Sequence, residues 1–496
     1  MSCTKHLKPI LLTPLLKIKR LLTILLTALL LYACDRDDGG GTTPPPEPPS
    51  PPNQEEAYVR KELRGAWIAS VWNIDWPLEN YSVEGQKKIY TDYLDGFVSA
   101  NLNAVFMQIR PTADAFYNSQ YESWSKWITG EAGKDPGYDV LQFMVEQAHV
   151  RGLEFHAWLN PYRIAFSPFP PLDPNIPAEW VKDYSNIRVY NPAIPEVQQR
   201  IADIVKEIIT KYDVDGIHFD DYFYPEVTGG VSALNDAAEY AKYGAGYSSI
   251  ADFRRANVDK VIQKIRETIL KENPRVVFSI SPNSDVSANL NTLFANIEKW
   301  CREGWIDVVI PQIYQPLGSG NSNFEARLSS WIGSFNTNVG CVIGFALYRV
   351  VNPSESVQFT VADFERQFQL AMASKKVHGS LLYNTSSFAA NRGGVIDMLK
   401  STYYKHPAVR PSFGRQTAAD PVIPSGLTLS GTTLSWTAPA ELTSVVYLTP
   451  AGSTETQVAA ITKSRSFLVT VKGKYFVTTF NRENVESKKS NEVVYN

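Results

Sequence analysis

The sequence predicts an α/β protein: a (β/α)8 TIM-type barrel followed by a small all-β sandwich domain. From residue 62 onward, short apolar segments of strand length alternate with stretches whose apolar residues recur every three or four positions. Eight such strand–helix units follow one another, which is typical of a closed barrel rather than an open sheet. After the last unit the pattern changes to alternating apolar and polar residues, which is typical of an antiparallel sandwich.

The predicted barrel strands are rich in Val, Ile, Leu, Phe and Trp and lie at 63–72, 103–109, 154–160, 214–221, 276–281, 307–314, 341–347 and 379–384. The stretches between them, such as 197–212 and 252–270, carry apolar residues on one helical face. Long loops are predicted at 113–138, 161–196 and 222–250. Because these loops follow strand C-termini, they lie on the face where barrel enzymes build their active sites.

The first 34 residues are predicted to be a lipoprotein signal peptide. A basic leader precedes an apolar run at 21–31, which is too short to cross a membrane and ends in LYAC, with Cys34 as the lipidated residue. A plain signal peptide with an incidental cysteine is the alternative. Residues 35–60 form a Pro- and Gly-rich tether. We therefore expect an outer-membrane lipoprotein of the cell envelope, periplasmic or surface-exposed, that contacts the membrane through its N-terminal lipid anchor.

The remaining residues divide into a barrel at 61–405, a proline-containing linker at 406–425 and a β-sandwich at 426–496. The sandwich resembles a fibronectin type III or similar accessory module. Two cysteines, Cys301 and Cys341, remain for the folded part. They are too few for a disulfide framework, and the sequence leaves open whether they pair.

The composition excludes several classes of function. The formal charge is only −3 with acids and bases interspersed, which argues against a nucleic-acid partner. The sequence lacks a G-x-S-x-G elbow, a P-loop, a dinucleotide fingerprint and an H-E-x-x-H motif, and it has six histidines in all. No metal and no cofactor is expected. Aromatic residues reach 12%, a proportion that suits a sugar-binding cleft as well as a large core.

The segment DGIHFDDYFYP, at 215–225, carries the strongest catalytic signal. Side chains alternate along a strand, so His218 and Asp220 are expected to face the barrel axis, with Asp220 at the mouth and Asp221 opening the next loop. Two neighbouring carboxyl groups repel each other, which raises the pKa of one of them. A glycosidase needs such a pair: a protonated carboxyl for the leaving oxygen and an ionised one as nucleophile or base.

Other strand ends supply further candidates. Asp114, Glu226 and Asp285 are additional candidate catalytic acids, although a lone Asp after a strand is usually a helix cap. The polar and aromatic residues at strand ends are expected to bind substrate: Trp72, Asn73, Trp76, Gln108, Arg110, His156, Trp158, Asn160, His218, Tyr222, Gln312, Tyr314 and Asn384. For His156, holding a hydrogen-bond network is an equally good interpretation.

Five segments together resemble the glycosyl-hydrolase-like family ten proteins: RGAWIASVWNIDWP, QIRPTADAFY, AWLNPYR, DGIHFDDYFYP and PQIYQP. The resemblance covers about 62–405. It implies a (β/α)8 fold and hydrolysis of glycosidic bonds, with bacterial relatives linked to peptidoglycan glycan strands that lack stem peptides. Asp220 lies where many barrel glycosidases carry their strand-four acid, so it is expected to act as nucleophile or electrostatic stabiliser.

No carboxylate ends the sixth strand, so the proton donor is expected among Asp221, Glu226, Asp114 and Asp285, in falling order of preference. In a substrate-assisted variant the substrate's acetamido oxygen attacks, and Tyr314 steadies the intermediate. The expected partner is a polysaccharide or oligosaccharide of the envelope or environment. Two alternatives remain: a non-catalytic glycan-binding surface lipoprotein, and a polysaccharide deacetylase, which would need a metal.

Overall fold

The structure is a computed structural model that describes residues 57–225, 227–228, 231–232, 234–334, 339–415 and 419–496. The predicted signal peptide, Cys34 and nearly all of the predicted tether lie outside the described residues, and so does Glu226. In the part of the chain that is described, no helix has the length and apolar character needed to cross a membrane.

A parallel sheet curls around the core of the first part of the chain. Its strands are β1 (Leu63–Ile68), β2 (Ala104–Arg110), β3 (Glu154–Leu159), β4 (Gly216–Phe219), β5 (Val277–Ile280), β6 (Val308–Val309 and Gln312–Ile313), β7 (Gly340–Cys341 and Ile343–Ala346) and β8 (Gly379–Tyr383). Strand β1 pairs with both β2 and β8. The first segments of β6 and β7 pair beside β5, and their second segments pair beside β8, so the sheet forms an α/β barrel.

The interruption of β6 differs from the single strand predicted at 307–314. Pro311 lies between its two segments and has no N–H to donate to a neighbouring strand, so the regular ladder breaks there. The carbonyl of Pro311 still accepts the backbone N–H of Gly344, at 3.0 Å. The break therefore leaves β6 beside β7 while it changes the course of the chain just before Gln312.

Helices of the described chain surround the sheet: Val83–Ser99, Lys126–Thr129, Val140–Val150, Pro195–Lys211, Ala237–Tyr243, Ile250–Glu272, Val286–Asn291, Ile297–Arg302, Phe324–Ser334, Val361–Met372, Thr385–Ala390 and Val395–Thr402. The helix Pro195–Lys211 shows why they form. Proline occupies its first turn, where no backbone N–H is needed, and Val197, Ile201, Val205 and Ile208 form one buried face.

The predicted loop at 161–196 contains a small antiparallel sheet of Arg163–Phe166, Val181–Tyr184 and Ile187–Tyr190. Its first strand carries Arg163 toward the end of β4, where the guanidinium lies over the rings of Tyr222 and Phe166. The loop is therefore held by backbone hydrogen bonds, which fix the position of these side chains.

The C-terminal part of the chain forms two antiparallel sheets. One consists of Ser425–Ser430, Thr433–Thr437 and Ser466–Leu468, and the other of Gln457–Thr462, Thr443–Pro450, Gly473–Phe480 and Val493–Tyr495. Leu434 and Trp436 of the first sheet share a buried cluster with Val446 and Val477 of the second. Both cysteines of the barrel part, Cys301 and Cys341, are buried and free.

Candidate active site

Asp220 directly follows β4 and is only 3% exposed. Its Oδ2 accepts the indole N–H of Trp158 at 3.0 Å, and its Oδ1 accepts the side-chain amide of Asn160 at 3.1 Å. Burial raises the pKa of Asp220, while the charge of Arg163 and these hydrogen bonds oppose the rise. The carboxyl group is therefore fixed in orientation by two residues from the end of β3.

Asp221 is partly exposed, and its side chain is hydrogen-bonded to Gln312 at the second segment of β6. Burial raises the pKa of Asp221 to about 7, and the adjacent charge of Asp220 adds to the rise. Asp221 is therefore protonated in a large share of molecules near neutral pH. The two neighbouring carboxyl groups differ in environment, as an acid and a conjugate base require.

Arg110 supports this arrangement from beneath. It forms a buried ion pair with Glu122, with Nη2 and Oε1 2.5 Å apart, and it also donates to the backbone carbonyl of Asn160. The side chain of Asn160 in turn accepts the backbone N–H of Arg163 at 2.8 Å. Arg110 thus fixes the loop that presents Asn160 to Asp220. Glu122 was not predicted, because nothing in its sequence neighbourhood indicates a partner for Arg110.

Three tyrosines lie on one side of the acid pair. The ring of Tyr314 stacks on that of Tyr383 at 6.0 Å, and Tyr348 meets both rings edge-on at 5.9 and 5.7 Å. Burial raises the pKa of Tyr314 well above its usual range, and Tyr383 and Asp221 contribute. Its hydroxyl therefore stays a hydrogen-bond donor. Tyr348 and Tyr383 were missed, although Tyr383 ends β8 just as Asp220 follows β4.

Four stacked groups also lie near the acid pair. The guanidinium of Arg163 lies over the ring of Tyr222 at 4.4 Å and over that of Phe166 at 5.1 Å. The indole of Trp72 lies 4.6 Å from the ring of Phe166. We call Trp72, Phe166, Arg163 and Tyr222 the rim stack. Its two end rings, Trp72 and Tyr222, are each 55% exposed.

The structure places both predicted histidines deeper in the barrel. His218 Nε2 accepts the indole N–H of Trp67 at 3.1 Å, so the ring proton lies on Nδ1 and is donated to Ser279 Oγ at 2.8 Å. Burial lowers the pKa of His218 well below its usual value, which keeps the ring neutral. His156 pairs in register with Gly216, the first residue of β4, and its Nε2 lies 3.2 Å from Glu154. It is thus farther from the mouth.

Trp76, Gln108 and Asn384 are engaged in structural hydrogen bonds. Trp76 is fully buried, and its indole N–H donates to the carbonyl of Gln86 at 3.0 Å, so neither ring face is open to a sugar. Gln108 accepts the backbone N–H groups of residues 70 and 71. Asn384 donates to the buried Asp75 at 2.9 Å and caps the following helix. These residues hold the loop that carries Trp72 and Asn73.

The other described carboxyl candidates lie in different surroundings. Asp114 accepts the hydroxyl of Thr112 at 2.8 Å, and burial raises its pKa. Asp285 caps the helix Val286–Asn291 and pairs with Arg327 at 2.8 Å. Burial alone would raise the pKa of Asp285, but these contacts outweigh it and the pKa lies below the usual value. An acid that is ionised at neutral pH does not suit proton donation.

A parallel barrel that carries adjacent acids, a fixed amide and aromatic rings where its strands end defines a glycoside-hydrolase-like protein. The chain belongs to the glycosyl hydrolase-like 10 family, whose family model matches residues 62–361. This match confirms the resemblance found in the sequence.

The named relatives agree with the family. The chain is 39% identical over 375 residues to glycosyl hydrolase YngK of Bacillus subtilis (strain 168). This alignment covers 71% of this chain and 73% of that protein. It is 33% identical over 363 residues to glycosyl hydrolase DigH of Escherichia coli (strain K12), and this alignment covers 65% of this chain and 82% of that protein. The PgaB (BpsB) glycoside hydrolase domain of Bordetella bronchiseptica aligns with a TM-score of 0.47 at 10% identity, over 69% of this chain and 98% of that one.

Proposed function

We propose that the protein is a glycoside hydrolase in which Asp221 donates the proton and Asp220 acts on the anomeric carbon. The observation that carries this proposal is the contrast between the two adjacent acids. Burial and the neighbouring charge of Asp220 raise the pKa of Asp221 to about 7, whereas the carboxyl of Asp220 accepts hydrogen bonds from Trp158 and Asn160, which oppose such a rise. Each pKa unit corresponds to about 1.4 kcal/mol between the two protonation states.

In the reaction, protonated Asp221 transfers its proton to the glycosidic oxygen as the bond to the anomeric carbon breaks. The positive charge that develops on the sugar is stabilised by ionised Asp220, which either attacks the anomeric carbon or orients the substrate's own acetamido oxygen for that attack. The Tyr314 hydroxyl, kept protonated by its raised pKa, can donate to the acetamido group. Water then releases the sugar and returns the proton to Asp221.

A carbohydrate substrate follows from the glycosyl hydrolases among the chain's relatives. We propose as the particular substrate a cell-envelope or environmental polysaccharide, with peptide-free peptidoglycan glycan strands as the first candidate. Two features support an N-acetylated glycan: the exposed rings of the rim stack, and an acid pair that can orient an acetamido group while it protonates the glycosidic oxygen.

The test is incubation of the wild type, Asp220→Asn and Asp221→Asn with peptide-free glycan strands and a panel of other polysaccharides. New reducing ends are measured, and the products are identified by mass spectrometry. We expect both variants to lose turnover while they retain glycan binding. A wild type that binds glycan but releases no reducing ends from any polymer would instead indicate a glycan-capture protein. Activity abolished by a chelator, with acetate as the product, would indicate a deacetylase.

We also propose that Cys34 is lipidated and that the protein is attached to the outer membrane of the cell envelope. The basic leader, the short apolar run and LYAC support this proposal. Cys34→Ala should abolish metabolic labelling with a fatty acid and release the protein from the membrane fraction. Labelling that persists in this variant would contradict it.

For the C-terminal part, beginning at about residue 426, we propose a fibronectin type III-like module. The three-stranded and four-stranded sheets support this, because the strand Ser466–Leu468 joins the first sheet although the strands before and after it belong to the second. The barrel would then span about 61–405, with a linker at about 406–425.

A further inference from the structure

Trp72 combines two features that rarely occur together. Its side chain is 55% exposed, although indoles are normally buried, and its backbone has a φ of 56°, in the left-handed region. Asn73 follows with a φ of 53°, which an asparagine tolerates far better than a tryptophan. A bulky residue in this conformation is strained, and such strain persists only where the surroundings enforce it, most often at functional sites.

The surroundings do enforce it. Gln108, at the end of β2, accepts the backbone N–H groups of Ser70 and Val71 at 3.1 and 3.0 Å, immediately before Trp72. On the other side, buried Asp75 accepts the backbone N–H of Ala69 at 2.8 Å. Three hydrogen bonds therefore hold the strained turn in place, although the indole that the turn presents is more than half exposed.

The rim stack links this indole to the acid pair. Tyr222 follows Asp221 in the chain, and its backbone N–H lies 3.4 Å from Oδ1 of Asp220. Arg163 is 6% exposed and therefore serves as a spacer rather than as a contact for a ligand. Three successive contacts of 4.4, 5.1 and 4.6 Å separate the ring of Tyr222 from that of Trp72. Laid end to end, these three contacts exceed the width of a single pyranose ring.

We propose that Trp72 and Tyr222 are two sugar platforms of one extended cleft, kept at a fixed separation by Phe166 and Arg163. The substrate is then a chain of at least three pyranose units that runs from the acid pair past Tyr222 to Trp72. This proposal rests on the proposed hydrolase function and deepens it, because it names the two residues that bind successive sugars of the proposed polysaccharide. Separate exposed rings beside carboxyl groups suit the apolar faces of successive sugars, whereas a protein partner would need a contiguous apolar patch.

The test uses calorimetry to measure the affinity of the Asp220→Asn variant for two lengths of peptide-free glycan strand, a disaccharide and an octasaccharide. Adding Trp72→Ala should weaken octasaccharide binding about tenfold and leave disaccharide binding unchanged. Trp72→Phe should restore most of the affinity. Tyr81→Ala is the matched control, because Tyr81 is an exposed ring, 47% accessible, outside the rim stack; it should change neither affinity.

A second comparison separates a binding role from a structural one. Trp72→Gly and Trp72→Ala both remove the indole, but glycine adopts the left-handed conformation without strain. We expect Trp72→Gly to have a higher Tm than Trp72→Ala and the same loss of octasaccharide affinity. A glycine variant that melts no higher than the alanine variant would remove the strain argument and overturn the proposal.

The proposal is also overturned if Asp220→Asn binds neither the disaccharide nor the octasaccharide, or if it binds the two with equal affinity. It is likewise overturned if adding Trp72→Ala weakens the binding of both sugars alike. Its failure is distinguishable from that of the hydrolase function. Normal turnover with no effect of Trp72 on long strands overturns the platforms alone. Binding of long strands that depends on Trp72, without any release of reducing ends, overturns the hydrolase function and supports the platforms.

Discussion

Among single residues, Asp221 is the group whose protonation most directly sets the proposed reaction. Burial and the charge of Asp220 raise its pKa to about 7, so the protonated form that donates to the glycosidic oxygen is lost as pH rises through about 7. We predict that kcat/KM falls above that pH and that Asp221→Asn lowers kcat by about 10²–10⁴-fold. Reducing-end release measured across a pH series checks both. If the fall in kcat/KM at alkaline pH had another cause, the residual activity of Asp221→Asn would show the same fall.

Arg163 offers a second prediction for a single residue. Its positive charge lowers the pKa of both Asp220 and Asp221, and its planar guanidinium lies between two aromatic rings. Arg163→Gln removes the charge, so the pKa of each acid rises and the alkaline limb moves to higher pH. Arg163→Lys keeps the charge but loses the planar stacking. We expect it to keep the pH profile and raise KM; identical profiles for both variants would contradict this.

The position of Asp220 could be predicted from its sequence because alternation along β4 fixes which side chains face the barrel axis. The roles of Arg110 and Asn384 could not be predicted in this way. Their partners are Glu122 in a loop and Asp75 at the other end of the barrel sequence. A polar residue at the end of a strand indicates a polar group near the mouth of the barrel. Only the folded chain shows whether that group already forms its hydrogen bonds with another side chain.

At the scale of elements, Asp285 has the geometry of a helix cap. It begins the helix Val286–Asn291 by accepting the backbone N–H of Ala288 at 3.0 Å. We predict that Asp285→Ala lowers the free energy of unfolding by about 1 kcal/mol, whereas Asp285→Asn, which retains a capping oxygen, lowers it less. Both should leave kcat unchanged. Urea denaturation and reducing-end assays measure the two effects, and a large loss of kcat without loss of stability would restore Asp285 as a catalytic candidate.

Element order followed from periodicity, since the alternation of apolar segments and amphipathic stretches predicted an α/β barrel. The short segments of β6 and the antiparallel sheet within 161–196 did not follow from it. Pro311 could have indicated the break, because proline lacks the N–H that a central strand needs. The small sheet was harder to recognise, because its strands are only four residues long and the pairing of Arg163–Phe166 with Ile187–Tyr190 joins segments that are distant along the loop.

At the scale of the whole molecule, a short segment at the end opposite Asp220 closes the barrel. We call residues 413–415 the closing segment. Phe413 belongs to the apolar cluster inside the barrel, and Arg415 Nη1 lies 2.6 Å from Glu154 Oε1. Arg415 also donates to the backbone carbonyls of Asp215 and Arg275, each just before a strand begins. The candidate active site therefore lies at one end of the barrel, and residues that follow the last barrel helix close the other end.

The C-terminal part also contacts this end of the barrel, because the side-chain amide of Asn484 donates to Glu154 at 2.8 Å. Without Arg415, the buried carboxylate of Glu154 loses its closer arginine partner and keeps only the more distant Arg410, at 3.4 Å. We predict that Arg415→Ala lowers the free energy of unfolding by about 3–5 kcal/mol. Lys88→Ala is the matched control: Lys88 and Asp92 form an ion pair of similar length, 2.7 Å, but are exposed, so that change should cost less than about 1 kcal/mol.

Urea denaturation of the full chain compares the two variants. Removal of the closing segment by truncation after residue 405 should destabilise the barrel further, since the apolar contacts of Phe413 are lost together with the ion pair. A truncated barrel with the Tm of the intact protein would contradict this, and so would an Arg415→Ala variant no less stable than Lys88→Ala. Either result would mean that the barrel closes and holds the acid pair without the segment that follows it.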